Sequence, residues 1–265
     1  LSIDPNHFDS LNLLATLFAI SANYEKAKEQ LLKAIEIQPK NLSVLNNLGT
    51  AYKELGKSDE ATKCYEKVLK IDPNHANAHY NLGLVFYQLK ELKKAKNYFK
   101  KTCEIQTNYA AAFFCLANVH VDLKEFENAV SCYQKAIEIN PNFVGAHNNL
   151  GLVYRALNDF KNAINCYEKV IKIQPNHAGT YHNLALAFKE TGEFEKSIQS
   201  HEMAIKYEPE NLIHYFYLSE LKKDILDQKL RKKIENIVNN KNSTKSVNAY
   251  GNFILAKYEQ KNKNY

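Results

Sequence analysis

Apolar residues return along this chain with two superimposed rhythms, one of 3–4 residues and one of 34. Leu45, Leu48 and Tyr52 fall at i, i+3 and i+7, which places them on one face of a helix; Ala61, Tyr65 and Val68 repeat the pattern in a second helix shortly after. In strides of 34 the same residue comes back at Leu14, Leu48, Leu82, Leu116, Leu150, Leu184 and Leu218. The position after it is always small: Ala15, Gly49, Gly83, Ala117, Gly151, Ala185 and Ser219. A second small column reads Ala27, Ala61, Ala95, Ala129, Ala163 and Ser197, and an aromatic column reads Phe18, Tyr52, Phe86, Tyr154 and Phe188. Proline closes the unit at Pro5, Pro39, Pro73, Pro141, Pro175 and Pro209, with Thr107 as the exception. The predicted unit is therefore a pair of helices. Two helices cannot cover their own apolar faces, so each pair must stack on the next.

The punctuation agrees with this reading. Gly56, Gly192 and Asn158 share the slot between the two helices of a unit, where a left-handed backbone is wanted. Ser58-Asp59-Glu60 reads as a cap followed by first-turn acids, and Pro73-Asn74 as a stop followed by the cap of the next helix. Three substitutions, His120 for the aromatic, Thr102 for a small aliphatic and Thr107 for proline, fall in or beside the third and fourth units. After Ser219 the pattern decays, with Lys222 and Arg231 in apolar columns. An amphipathic stretch from Leu226 to Val238 and a last helix from Val247 to Glu259 are expected there, joined by a polar loop at Asn239–Lys245.

These columns, as in the stretch NNLGTAYKELGKSDEATKCYEKVLKIDP from Asn46 to Pro73, resemble the tetratricopeptide repeat family over roughly residues 8–219. The resemblance implies an all-α, right-handed superhelical solenoid with a C-terminal capping region. The expected division is the end of a preceding repeat at 1–7; six repeats at 8–41, 42–75, 76–109, 110–143, 144–177 and 178–211; and a degenerate repeat with basic capping helices at 212–265.

Composition narrows the functional classes. Hydrophobic residues make up 45% and charged residues 24%, as expected of a folded chain rather than a disordered one. No apolar run reaches the length of a membrane span, and no stretch reads as a signal peptide, so membrane insertion is not expected. The net charge of +6 resides in Leu212–Tyr265, whose 11 basic and 5 acidic residues lack interleaved stacking aromatics; no specific nucleic-acid partner is expected. Five cysteines form no CxxC pair, and Cys64, Cys132 and Cys166 share one column as small packing residues, which points to a reducing, cytoplasmic setting. The nine histidines show no ligand spacing such as HxxxH: His7, His75 and His177 share one column, His79 and His147 another, while His182, His201 and His214 each stand alone. No metal, cofactor or catalytic motif is expected.

Function then falls to the face of each first helix that points away from the core. Position by position it carries Asn47, Asn81, Asn149 and Asn183, interrupted by Cys115, then Asn118 and the apolar Leu84, Leu152 and Leu186. Tyr80, Tyr87 and Phe114 flank these, and Lys53, Arg155 and Lys189 add positive charge. An amide can donate to and accept from one peptide unit at once, so a ladder of them suits an extended backbone. The ladder resembles that in the repeat arm of the O-linked N-acetylglucosamine transferase, which implies a protein or peptide ligand. The paired-cation arrangement by which some relatives grip a terminal carboxylate is not matched, because the flanking column reads Asn12, Asn46, Tyr80, Phe114, Asn148, His182. The alternatives are a targeting arm of a larger enzyme, sulfotransferase or glycosyltransferase, and self-association through solenoid ends. Leu1–Pro5 reads like the close of a second helix, and the last 50 residues resemble the junction of bacterial proteins that join such repeats to a sulfotransferase domain; on this reading the chain is an internal piece of a longer polypeptide.

Overall fold

The computed structural model describes residues 7–222, 225–240 and 244–263, so the expected repeat end at Pro5 lies outside the described residues. All secondary structure among them is helical. The chain divides into two compact units, Leu1–Pro141 and Asn142–Tyr265.

The first unit contains α1 (Phe8–Ile20), α2 (Tyr24–Ile37), α3 (Leu42–Glu54), α4 (Ser58–Ile71), α5 (Ala76–Gln88), α6 (Leu92–Ile105), α7 (Ala110–Asp122) and α8 (Phe126–Ile139). Within it each odd-numbered helix packs on the even one that follows, and each even one on the next pair. The second unit opens with α9 (Val144–Ala156), α10 (Phe160–Ile173), α11 (Ala178–Glu190) and α12 (Phe194–Tyr207), built in the same way. It ends on α13 (Leu212–Leu221), α14 (Gln228–Val238) and α15 (Lys245–Lys263), with α15 packed on both α13 and α14 around Leu212, Tyr215, Leu226, Ile234 and Ile254. The last helix is longer than its sequence pattern predicts at both ends. At its close Lys261 donates to the Leu226 carbonyl at 3.2 Å.

The leucine column is buried from Leu48 to Leu218, whereas Leu14 is 40% exposed beside Leu13, Leu17 and Ile20 on α1. The two small columns explain the close approach of paired helices. A Cβ placed on Gly49, Gly83 or Gly151 would come within 2.5–2.6 Å of the ring of Tyr65, Phe99 or Tyr167, sixteen residues on in the second helix. Where serine replaces alanine at the fully buried Ser197, its hydroxyl donates to the Ala185 carbonyl at 2.7 Å, which offsets the burial of a polar group. Thr102, also fully buried, does the same with the Tyr98 carbonyl at 3.0 Å.

The caps differ from the sequence reading by one residue. Ser58 is the first residue of α4 and Lys57 its cap, with no side-chain bond. Asn74 does not cap α5; His75 does, its Nδ1 accepting from the Ala78 amide at 3.2 Å. His177 repeats this at α11 with Thr180, and Asn41 and Asn211 use amide oxygens in the same column. The slot between paired helices is left-handed in all six repeats: Gly56 and Gly192, and also Ala22, Lys90, Lys124 and Asn158, with φ of 56–60° at the four non-glycine residues.

Candidate functional site

The first helix of each repeat presents the same face, and the side chains expected to bind a partner lie on it. All fourteen, Asn47, Asn81, Asn149, Asn183, Leu84, Leu152, Leu186, Tyr80, Tyr87, Phe114, Asn118, Lys53, Arg155 and Lys189, are half-buried, neither sealed in the core nor fully solvated. Their detailed environments differ. In the first unit Asn81 donates to the Asn46 side chain one repeat earlier at 3.2 Å, so two amide columns are cross-linked. Tyr80 spends much of its surface on protein, in tilted ring contact with Phe99 and Tyr109 and with its hydroxyl 3.7 Å from Cys115 Sγ. Burial drives its hydroxyl pKa well above the usual tyrosine range. Lys53 pairs with Glu54 at 2.9 Å, and the Lys90 ammonium sits over the Tyr87 ring.

Beneath this face runs a column of which the sequence reading named only Tyr65 as a packing residue: Tyr65, Phe99, Tyr133, Tyr167 and His201 from the second helices, all at 0–1% exposure. Their outer ends reach the groove face. Tyr65 Oη meets Thr50 Oγ1 at 3.2 Å, and Tyr133 donates to the Asn118 side chain. Phe99, with nothing to satisfy, lies in the repeat that has Leu84 at the matching place. In the second unit the matching residues are Leu152 and Leu186, and neither the Tyr167 hydroxyl nor either His201 ring nitrogen has a partner. Arg155 Nη1 is also buried without one.

His120, in place of an aromatic, is explained by its hydrogen-bond partner. Its Nδ1 lies 2.5 Å from Glu125 Oε2, and Lys96 reaches the same carboxylate at 3.0 Å. Bonds from Lys96 and then His120 hold the Glu125 carboxyl below its ordinary pKa. The cysteines are packing residues: burial pushes the Cys64 and Cys132 thiols up to about 11 and Cys166 to about 12, which suppresses thiolate chemistry.

The three histidines that stand alone in their columns, His182 of α11, His201 of α12 and His214 of α13, converge, each with one ring nitrogen within 4.8 Å of the others. Spacing along the chain hid this because the residues occupy unlike columns of adjacent repeats.

Stacked helix pairs whose small columns receive the rings of the second helix define the class of helical-repeat proteins. The chain belongs to the tetratricopeptide repeat family. Models described as TPR repeat match residues 50–90 and 117–157, and models described as tetratricopeptide repeat match 8–41, 31–63, 76–109, 144–177 and 166–199. No curated protein matches the chain by sequence. Among solved structures, MamA protein is 28% identical, with a TM-score of 0.60 over 64% of this chain and 92% of that one. YrrB, described as a TPR protein with an unusual peptide-binding site, is 24% identical with a TM-score of 0.63, covering 70% of this chain and 95% of its own. PilF of Pseudomonas aeruginosa is 19% identical with a TM-score of 0.70, covering 80% and 97%. The last two establish likeness of fold. Family and fold support a protein-binding role, and no helix among the described residues is long and apolar enough to cross a membrane.

Proposed function

We propose that the first-helix faces bind an extended segment of a partner protein, with amides holding the peptide backbone and leucines taking apolar side chains. The reading rests on one observation above all: Leu84, Leu152 and Leu186 stand half-exposed on the same faces as half-buried Asn81, Asn149 and Asn183. An apolar row beside a polar one, on the side turned from the core, is costly to leave in water and is suited to a ligand with both kinds of group. Recognition of backbone rather than of charge fits the absence of the paired cations that would grip a carboxylate.

The test needs a captured partner peptide. Asn149→Ala with Asn183→Ala is expected to keep full helicity and to weaken binding by roughly 1–3 kcal/mol as ligand amides lose partners. Leu152→Asp with Leu186→Asp is expected to abolish it. Unchanged affinity in both double variants, measured by calorimetry, rules the groove out as the binding surface.

A further inference from the structure

The second unit carries a cluster that peptide binding does not use. His182, His201 and His214 come from three successive helices, and each offers a ring nitrogen within 4.8 Å of the other two. His201 and His214 are buried, at 0% and 2% exposure, and His182 is half-buried. The Nδ1 atoms of all three, and Nε2 of His201, are buried with no hydrogen-bond partner. A buried imidazole normally finds partners for its nitrogens, and leaving four such atoms orphaned in one place is costly.

The orientation is ordered. His214 places Nε2 3.3 Å from Glu208 Oε2, so it can donate there and present Nδ1 as a lone pair to the cluster. That is the carboxylate–histidine pairing which fixes the tautomer of metal-bound imidazoles. Tyr217 stacks on His201 at 7° and meets His182 edge-on, holding both rings from one side.

From this juxtaposition of three buried, unpartnered imidazoles with a carboxylate behind one of them, we propose that His182, His201 and His214 form a binding site for a divalent transition-metal ion of the zinc type. Three imidazoles suit zinc, and poorly suit calcium or magnesium, which seek oxygen. Bonds of about 2.1 Å in a tetrahedron need nitrogens about 3.4 Å apart, within reach of side-chain rotation from the spacing observed. A fourth ligand, water or a group of an incoming partner, would complete the tetrahedron. Burial first, then neighbouring histidines and the Arg155 and Lys189 charges, lower His182 to about 4 and His201 to about 3, so protons do not compete for these nitrogens near neutrality. The same two cations oppose a bound cation, and Glu208 offsets them.

The test uses the tag-free chain stripped with a chelator. Equilibrium dialysis against zinc chloride is expected to leave one tightly held zinc per chain and to raise Tm as zinc increases, since an ion bound only to the folded state stabilises it by mass action. Cobalt(II) alone should develop the intense visible bands of a four-coordinate nitrogen site. His182→Asn and His201→Phe use residues that the same columns carry elsewhere, at Asn148 and Phe99, and so preserve the repeat. Each is expected to weaken zinc retention at least 100-fold while leaving helicity intact. Absence of four-coordinate cobalt bands in the unmodified chain overturns the proposal by itself. So does zinc retention equal in the unmodified chain and in both variants, which would place the ion on other histidines such as the exposed His7.

Discussion

The two units use the same buried ring column and treat its polar ends in opposite ways. In the first unit every ring is matched: Tyr65 has Thr50, Tyr133 has Asn118, and Phe99 carries no polar atom. In the second, Tyr167 and His201 end in unpaired atoms where Leu152 and Leu186 stand. Packing alone demands a large apolar side chain there, and Leu31 and Phe99 in the first unit supply one with no polar atom. The second unit keeps groups that cost free energy in the free chain, and it keeps them next to its groove face and its histidine cluster. Such groups are the residue of a function, or of a ligand that satisfies them.

Phe99→Ala should cost about 3–5 kcal/mol in chemical denaturation, whereas His201→Ala should cost clearly less, because it removes two orphaned nitrogens along with the packing. Equal losses would mean that the His201 nitrogens are not under strain in the folded chain.

Acid comes next. His182 and His201 have folded pKa values far below the unfolded value of about 6.5, so the unfolded chain binds more protons. Their contribution is fully present above pH ~6.5 and is lost as pH falls toward the folded values of about 4 and 3. Metal-free protein should therefore lose Tm between pH ~6.5 and ~4.5, before the carboxylates titrate, and His201→Phe should flatten that slope.

Gly151→Ala should cost about 1–3 kcal/mol, since the new Cβ meets the Tyr167 ring at 2.5 Å. Combining it with Tyr167→Leu, the pairing that Ala15 and Leu31 already use, should recover part of the loss. The smallest effect is the most diagnostic. Tyr133→Phe should cost about 1 kcal/mol for the lost bond to Asn118, while Tyr167→Phe should be neutral or stabilising. A cost for Tyr167→Phe as large as for Tyr133→Phe would show that its hydroxyl is satisfied in solution.

The repeat frame was legible in the chain because each column recurs in identical register, and Leu48, Ala61 and Pro73 have six, four and five identical counterparts to confirm them. Caps were less legible, since the column of His75, His177 and Asn41 mixes residue types that share only an acceptor. Left-handed backbone at Lys90 and Lys124 leaves no trace in side chains that favour helices; the loop closure imposes it. Replacing Lys124 by glycine would relieve that conformation and add a fraction of a kcal/mol. The candidate groove was legible as a face. Its histidine cluster was not, because reading down columns compares like with like, and His182, His201 and His214 meet across columns.

The contact of Gly83 with Phe99 closes inside a single repeat, as does Gly49 with Tyr65 and Gly151 with Tyr167. A gene that gains or loses a whole 34-residue block therefore carries each matched pair along intact, while a shuffle that cuts between the paired helices separates a ring from the gap cut for it. Lengthening such an array by duplication is thus mechanically cheap, and the natural joint for recombination lies at the turn between repeats, where His75 and His177 cap the next helix. The histidine cluster is the exception, because it draws one ligand from the next repeat. An exchange at the turn before α13 would cut it off from His214, so this joint is the one the array cannot trade freely without losing the cluster.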